Sequence, residues 1–461
     1  MLNKFIGTKQ FYKGVVAVAA PIIIQNVITN FVSLLDNLMV GQVGTEQMSG
    51  VAITNQLLFI VNLGIWGIMT GTGVLAAQYY GKKDYEGVGN AFKFKVMFAS
   101  VYVVLSVLLL SFFGDGLVNL FIFESEDGLD TAATFIYSRQ YLDVMLWGLP
   151  FFAVTQAYAS TLREVNETKV PMYAGICAIL VNLVFNYLLI YGKLGFPELG
   201  IVGAAIATNI SRIVEAGICV VWAHRNQEKV VFIKTAFRTL SFPKSFLKKA
   251  FFLAIPAFVN EFLWSFGQTT LNQAMSTRGV SVVSALNINS MVITVCKSAF
   301  LGMGLSIAII VGNALGAGKT EEAVDTDRKM FVMTFSVTLV IAAVLFFAAP
   351  VIPNMYNTTD AVRGMATSFI RISAVLMPME AIINGCYHTI RCGGRAIVTF
   401  LFDAGYTWVV SVPCALIIGY LTNMPIIPMF ACVFGINVIK LTAGLILVSK
   451  RIWVNTIVDK A

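Results

Sequence analysis

From Gln47 to Gly81 the chain runs without a single charged residue, and a stretch of that length decides the medium before any other feature. A helix of about 20 mostly apolar residues crosses a bilayer, where the backbone must satisfy its own hydrogen bonds. Twelve such runs follow one another, at approximately 14–40, 51–80, 92–113, 133–159, 170–191, 200–223, 248–275, 284–315, 330–349, 365–390, 398–420 and 426–448. A transmembrane β-barrel would instead show alternating strands of about ten residues. With 57% hydrophobic and only 12% charged residues, the chain has too little polar surface for water-soluble domains. The expected fold is all-α and polytopic, with twelve membrane spans. The run after Lys4, Lys9 and Lys13 is too long for a signal h-region and ends in no small-residue cleavage site, so the first span is expected to be retained.

Basic residues set the orientation, because cytoplasmic loops keep an excess of Lys and Arg. With the N-terminus inside, the termini and the connections on that side, counted with the span ends that adjoin them, hold 24 of the 32 basic residues. Both termini are therefore expected to face the cytoplasm, with the protein in the cytoplasmic membrane beside anionic lipid. The formal charge of +8 follows from the same bias, so it gives no argument for nucleic-acid binding. The seven cysteines form no Cys-x-x-Cys pair and the two histidines are His224 and His388. That inventory is poor material for a zinc site or a histidine-based triad, and an enzyme is not expected.

The chain also repeats itself. At an offset of 235, Pro21 falls on Pro256, Gly67 on Gly302, Gln78 on Asn313, Gly81 on Gly316 and Glu86 on Glu321. At 228, Pro150 falls on Pro378, Thr161 on Thr389 and Arg163 on Arg391. Two six-span lobes of the same insertion sense are expected, related by a pseudo-two-fold along the membrane normal. Residues 1–223 would be the first lobe, 224–249 a basic cytoplasmic linker and 250–461 the second lobe. The segment GNALGAGKT resembles a phosphate-binding loop, but Asn313 stands where that motif needs its first glycine, and a long apolar run precedes it instead of a strand.

Charges within the apolar runs sort by what they can reach. Asp143, Arg371 and Asp403 lie near the ends of their runs, Lys440 can snorkel, and Arg212 with Glu215 are spaced to neutralise one another. Asp36, Glu261 and Glu380 have no opposite charge at helical spacing, and Lys297 stands mid-span. Buried ionisable groups of this kind mark ion or substrate pathways.

The LLDNLMVGQVG segment ending span 1, AAQYYGKKD ending span 2 and NLVFNYLLIYG in span 5, set on two similar six-span lobes, resemble the multidrug and toxic compound extrusion (MATE) family over essentially the whole chain. The acids of spans 7 and 10 make the likeness closest to its NorM-type branch. The resemblance implies a MATE fold and an antiporter that exports amphipathic, mostly cationic organic compounds by alternating access against Na⁺ or H⁺, with no other cofactor. It implies Asp36 as the cation-binding carboxylate of the first lobe, with Asn182 and Asn186 hydrogen-bonding it and Thr208 nearby. It implies Glu261 and Glu380 as a second cation site, with Lys297 beside it as a competing charge. Na⁺ would therefore sit at Asp36 or at the two glutamates. Organic cations and membrane lipids are the expected partners, and the protein is expected to act as a monomer. The alternative is a flippase for a lipid-linked oligosaccharide, which would want a basic cavity.

Overall fold

The structure is a computed structural model that describes residues 5–122, 130–238, 241–356 and 358–458. Among them there is no strand. The helices are α1 (Lys9–Gly41), α2 (Thr45–Gly81), α3 (Tyr85–Asn119), α4 (Thr131–Leu146), α5 (Leu149–Glu164), α6 (Lys169–Ile190), α7 (Gly200–Arg225), α8 (Phe232–Ala236), α9 (Lys244–Ser276), α10 (Val280–Gly316), α11 (Thr320–Ala348) and α12 (Asp360–Cys392). Two more follow, α13 (Ala396–Leu421) and α14 (Ile426–Ser449). Eleven of these, among the described residues, are long and apolar enough to cross a membrane by length and composition.

The internal repeat reappears as helix length. Helices α1 and α9 have 33 residues each, and α2 and α10 have 37 each. The family of matched lengths fails at the fourth span, which is two helices of 16 residues, α4 and α5, where its counterpart α12 continues through Pro378. The cause is local. Asn209 of α7 donates from Nδ2 to the Val144 carbonyl at 2.6 Å, capturing the acceptor that Gly148 would use in an unbroken helix. A Cβ at Gly148 would lie 1.9 Å from Asn209 Oδ1, so glycine is what admits the intruding amide.

The contacts divide the chain into two compact units, one of Ile28–Ala76 and Asp84–Ala254, the other of Met1–Val27, Ala77–Lys83 and Ile255–Ala461. In the first, α6 packs along α7, and α3 against α5 and α8. Gly71 supports close helix packing there, since a Cβ on it would sit 2.6 Å from Ala254 Cα. In the second, α12 packs along α10 and α11, and Val15 and Ala19 of α1 join a core with Ile307, Val311 and Leu315. Helix α13 widens to π-type winding over Leu401–Gly405 and Thr407–Ser411.

Several charges are held differently from the sequence expectation. Asp403 and Lys440 do not reach separately for the interface; they form an ion pair at 2.7 Å between α13 and α14. Arg212 and Glu215 do not close to an ion pair, and the Arg212 guanidinium lies 5.1 Å over the Phe152 ring. Helix α3 begins at Tyr85, seven residues before the expected span. Lys95, already within the expected span, is fully buried, its amine 2.6 and 2.7 Å from the two Glu164 oxygens and 3.3 Å from Thr161 Oγ1. The repeat partner of Thr161, Thr389, donates at 2.6 Å to Asp327, an acid only 3% exposed. Each unit thus pairs its repeated threonine with a buried ionisable side chain, a lysine in one and an aspartate in the other.

Candidate functional site: two polar clusters within apolar helices

The first cluster forms where α1, α6 and α7 meet. Asn182 and Asn186 are four apart on α6 and so share a face. Gly203 of α7 lets that helix approach α6, since a Cβ there would lie 2.5 Å from the Leu189 carbonyl. The Tyr191 hydroxyl at the end of α6 lies 2.8 Å from Gln42 Oε1 and 3.2 Å from the Met39 carbonyl, sharing its one hydrogen between them and tying α6 to the end of α1. Asp36 is thus brought to the asparagines. Asn186 Nδ2 donates to Asp36 Oδ1 at 2.6 Å. A carboxylate only accepts, so the Asn182 amide turns its nitrogen toward Asp36, 2.9 Å from Oδ1 and 3.2 Å from Oδ2. The opposite end of that amide lies 3.4 Å from Thr208 Oγ1. All four residues named from the sequence meet here.

Among the described residues no Lys or Arg pairs with Asp36, and Asn186 Oδ1 is buried without a hydrogen-bond partner. The site therefore offers a carboxylate and a spare amide oxygen to a cation, with two amides fixing the carboxylate's orientation. Those oxygens suit a hard cation such as Na⁺, and the carboxylate alone suits a proton.

The second cluster lies in the other unit. A cavity of about 650 Å³ is lined by residues of α9, α10, α12, α13 and α14, with Lys297, Glu380, Asn437 and Lys440 on its wall. Glu380 Oε1 accepts from Asn437 Nδ2 at 2.9 Å. Lys297 faces the same space, yet among the described residues it has no ion pair within 4.0 Å. Glu261 is not on that wall. Arg391 and Asp403 are among its charged neighbours. Asp403 accepts from Lys440 at 2.7 Å and from Asn260 Nδ2 at 2.9 Å, while Asn260 Oδ1 accepts the Ala404 backbone N–H at 3.2 Å. Sequence reasoning missed this Asp403–Lys440–Asn260 network because its members lie on three helices. The available hint was that two opposite charges, Asp403 and Lys440, both sit inside apolar runs.

The curated protein named probable multidrug resistance protein YoeA, from Bacillus subtilis, is 24% identical over 416 residues, covering 88% of this chain and 87% of that protein. A probable multidrug resistance protein NorM from Thermotoga maritima is 22% identical over 405 residues, with 88% and 85% covered. Among solved structures, a MATE in complex with MaL6 superposes with TM-score 0.86 at 19% identity, covering 98% of both chains. A variant of the Vibrio cholerae MATE transporter VcmN gives 0.86 at 18% identity, covering 96% of this chain and 97% of that one. The MatE family model matches twice, at residues 21–188 and 256–429, and its two starting points are separated by the same 235 residues as Pro21 and Pro256. With the repeated half, the all-helical fold and the family match in agreement, this chain belongs to the MatE family.

Proposed function

We propose that the protein is a multidrug efflux transporter of the cytoplasmic membrane, an antiporter that exports amphipathic organic cations by alternating access as Na⁺ or H⁺ moves inward. Asp36 is the coupling carboxylate. The observation that carries this reading is the Asp36 cluster, an acid without a cationic partner among the described residues and oriented by Asn182 and Asn186. The multidrug-resistance names of the relatives agree with it. The basic bias of one set of connections supports termini that face the cytoplasm, and the protein works as a monomer.

The energetics permit either one coupling ion or two. Raising a monovalent cation a hundredfold outside costs about 2.7 kcal/mol, and moving its charge against 100 mV adds about 2.3 kcal/mol. One inward ion regains about the electrical part. The rest comes from that ion's own gradient or from a second ion, for which Glu261 and Glu380 are the candidate carboxylates. Each of Glu261→Gln and Glu380→Gln is expected to raise the ion concentration for half-maximal export about tenfold, equivalent to about 1.4 kcal/mol. Na⁺- and pH-dependent export from sealed vesicles measures this. Wild-type ion dependence in both variants would leave Asp36 as the sole coupling acid and remove the second site.

A further inference from the structure

The cavity of the second unit has a charge pattern that an organic cation does not match. Lys440 is already held by Asp403 at 2.7 Å. Two charges remain on the wall, the Lys297 amine and the Glu380 carboxylate, and they do not approach within 4.0 Å of one another. A charge at membrane depth costs about 2.5–3.5 kcal/mol on insertion scales, so each gains from an opposite charge, Glu380 being met so far by the neutral Asn437 amide. A lone cation would satisfy Glu380 and be repelled by Lys297, and a lone anion would meet the reverse. A molecule carrying both signs satisfies both.

The rest of the wall narrows the class. The amides Gln268, Asn272, Asn287 and Asn289 line the space, and each supplies donors and an acceptor together, the pairing that a peptide group also presents. Trp264, Phe430 and Phe434 add aromatic surface for an apolar side chain. Along α10, Asn287, Ser290, Thr294 and Lys297 follow at helical spacing, so polar groups run about 15 Å down one wall at 1.5 Å per residue. A volume of about 650 Å³ holds a molecule of drug size. We infer that this cavity binds a small zwitterion of amino-acid or short-peptide type, its carboxylate on Lys297 and its ammonium on Glu380. Where the antiport reading holds, the ligand's ammonium and the coupling cation compete for Glu380, so that one leaves as the other arrives. Only that exchange rests on the antiport reading; the binding does not.

The test is equilibrium binding to the purified full chain in detergent, with no gradient present. The probes are the dipeptide alanyl-phenylalanine, its N-acetyl derivative and its C-terminal amide, each titrated into wild type, Lys297→Met, Lys297→Arg and Glu380→Gln. Wild type should bind the free dipeptide at least tenfold tighter than either capped form. Lys297→Met should bind the free dipeptide and its amide alike, Lys297→Arg should keep their difference, and Glu380→Gln should bind the free and N-acetyl forms alike. The inference is overturned if wild type binds the free dipeptide no tighter than the capped forms. It is also overturned if Lys297→Met weakens the amide as much as the free dipeptide. Loss of dipeptide binding beside intact export of organic cations would sink this inference alone.

Discussion

Replacing Asp36 by asparagine is expected to abolish ion-driven export of an ethidium-like cation from sealed vesicles while leaving the protein folded. The side chain keeps its size, and its carbonyl oxygen still accepts from Asn186, which now lies 2.6 Å from the carboxylate. What disappears is the charge. A cation about 4 Å from a carboxylate gains about 4 kcal/mol at an effective dielectric of 20, which is roughly a thousandfold in ion affinity at 1.4 kcal/mol per decade. Gradient-driven export should therefore fall to background, while the thermal midpoint in detergent stays near that of wild type. Full export by Asp36→Asn would remove this residue from the mechanism.

The second large effect is on packing, at a pair of glycines related by the repeat. A Cβ on Gly316 would lie 1.9 Å from the Gln78 carbonyl oxygen, and one on Gly81 would lie 1.9 Å from the Asn313 carbonyl oxygen. Gln78 and Asn313 are themselves repeat partners, so the ends of α2 and α10 pack on one another reciprocally. Both obstacles are backbone atoms, and neither can swing aside. Gln78 is fully buried and is fastened in turn, donating to the Cys392 carbonyl at 2.9 Å and accepting the Ile457 N–H at 2.8 Å. Overpacking costs about 1–3 kcal/mol and at times more; the rigidity here points to the upper end. Gly316→Ala and Gly81→Ala should each lower stability in detergent by about 3 kcal/mol, and the double variant by less than the sum, because both strain one contact. A wild-type unfolding midpoint for either single variant would contradict the reciprocal packing.

Much of this architecture was legible before any coordinates. The offset of 235 that aligned Pro21 with Pro256 also aligns the starts of α1 with α9 and of α2 with α10. The Asn182–Asn186 face was legible because a four-residue spacing on a helix has only one geometric outcome. What escaped depends on partners distant in sequence. Lys95 lay just inside the expected third span with no opposite charge at helical spacing, and its partner Glu164 is 69 residues away. Asp327 fell outside the expected ninth span, yet α11 begins at Thr320 and buries it. The break between α4 and α5 has a local part in Gly148 and Pro150, but the Asn209 amide that takes the Val144 carbonyl comes from another helix. Lys440 had the stem to snorkel, but Asp403 across the helix packing holds it at 2.7 Å.

Transport by the unaltered chain tests the central claim most directly. Sealed vesicles containing the purified protein and an ethidium-like cation would be given a Na⁺ gradient and a H⁺ gradient separately, with the membrane potential clamped. The account predicts uphill movement of the dye against at least one ion gradient, its collapse when that gradient is dissipated, and neither effect in Asp36→Asn vesicles. Dye movement that runs only downhill, whichever gradient is imposed, would contradict it.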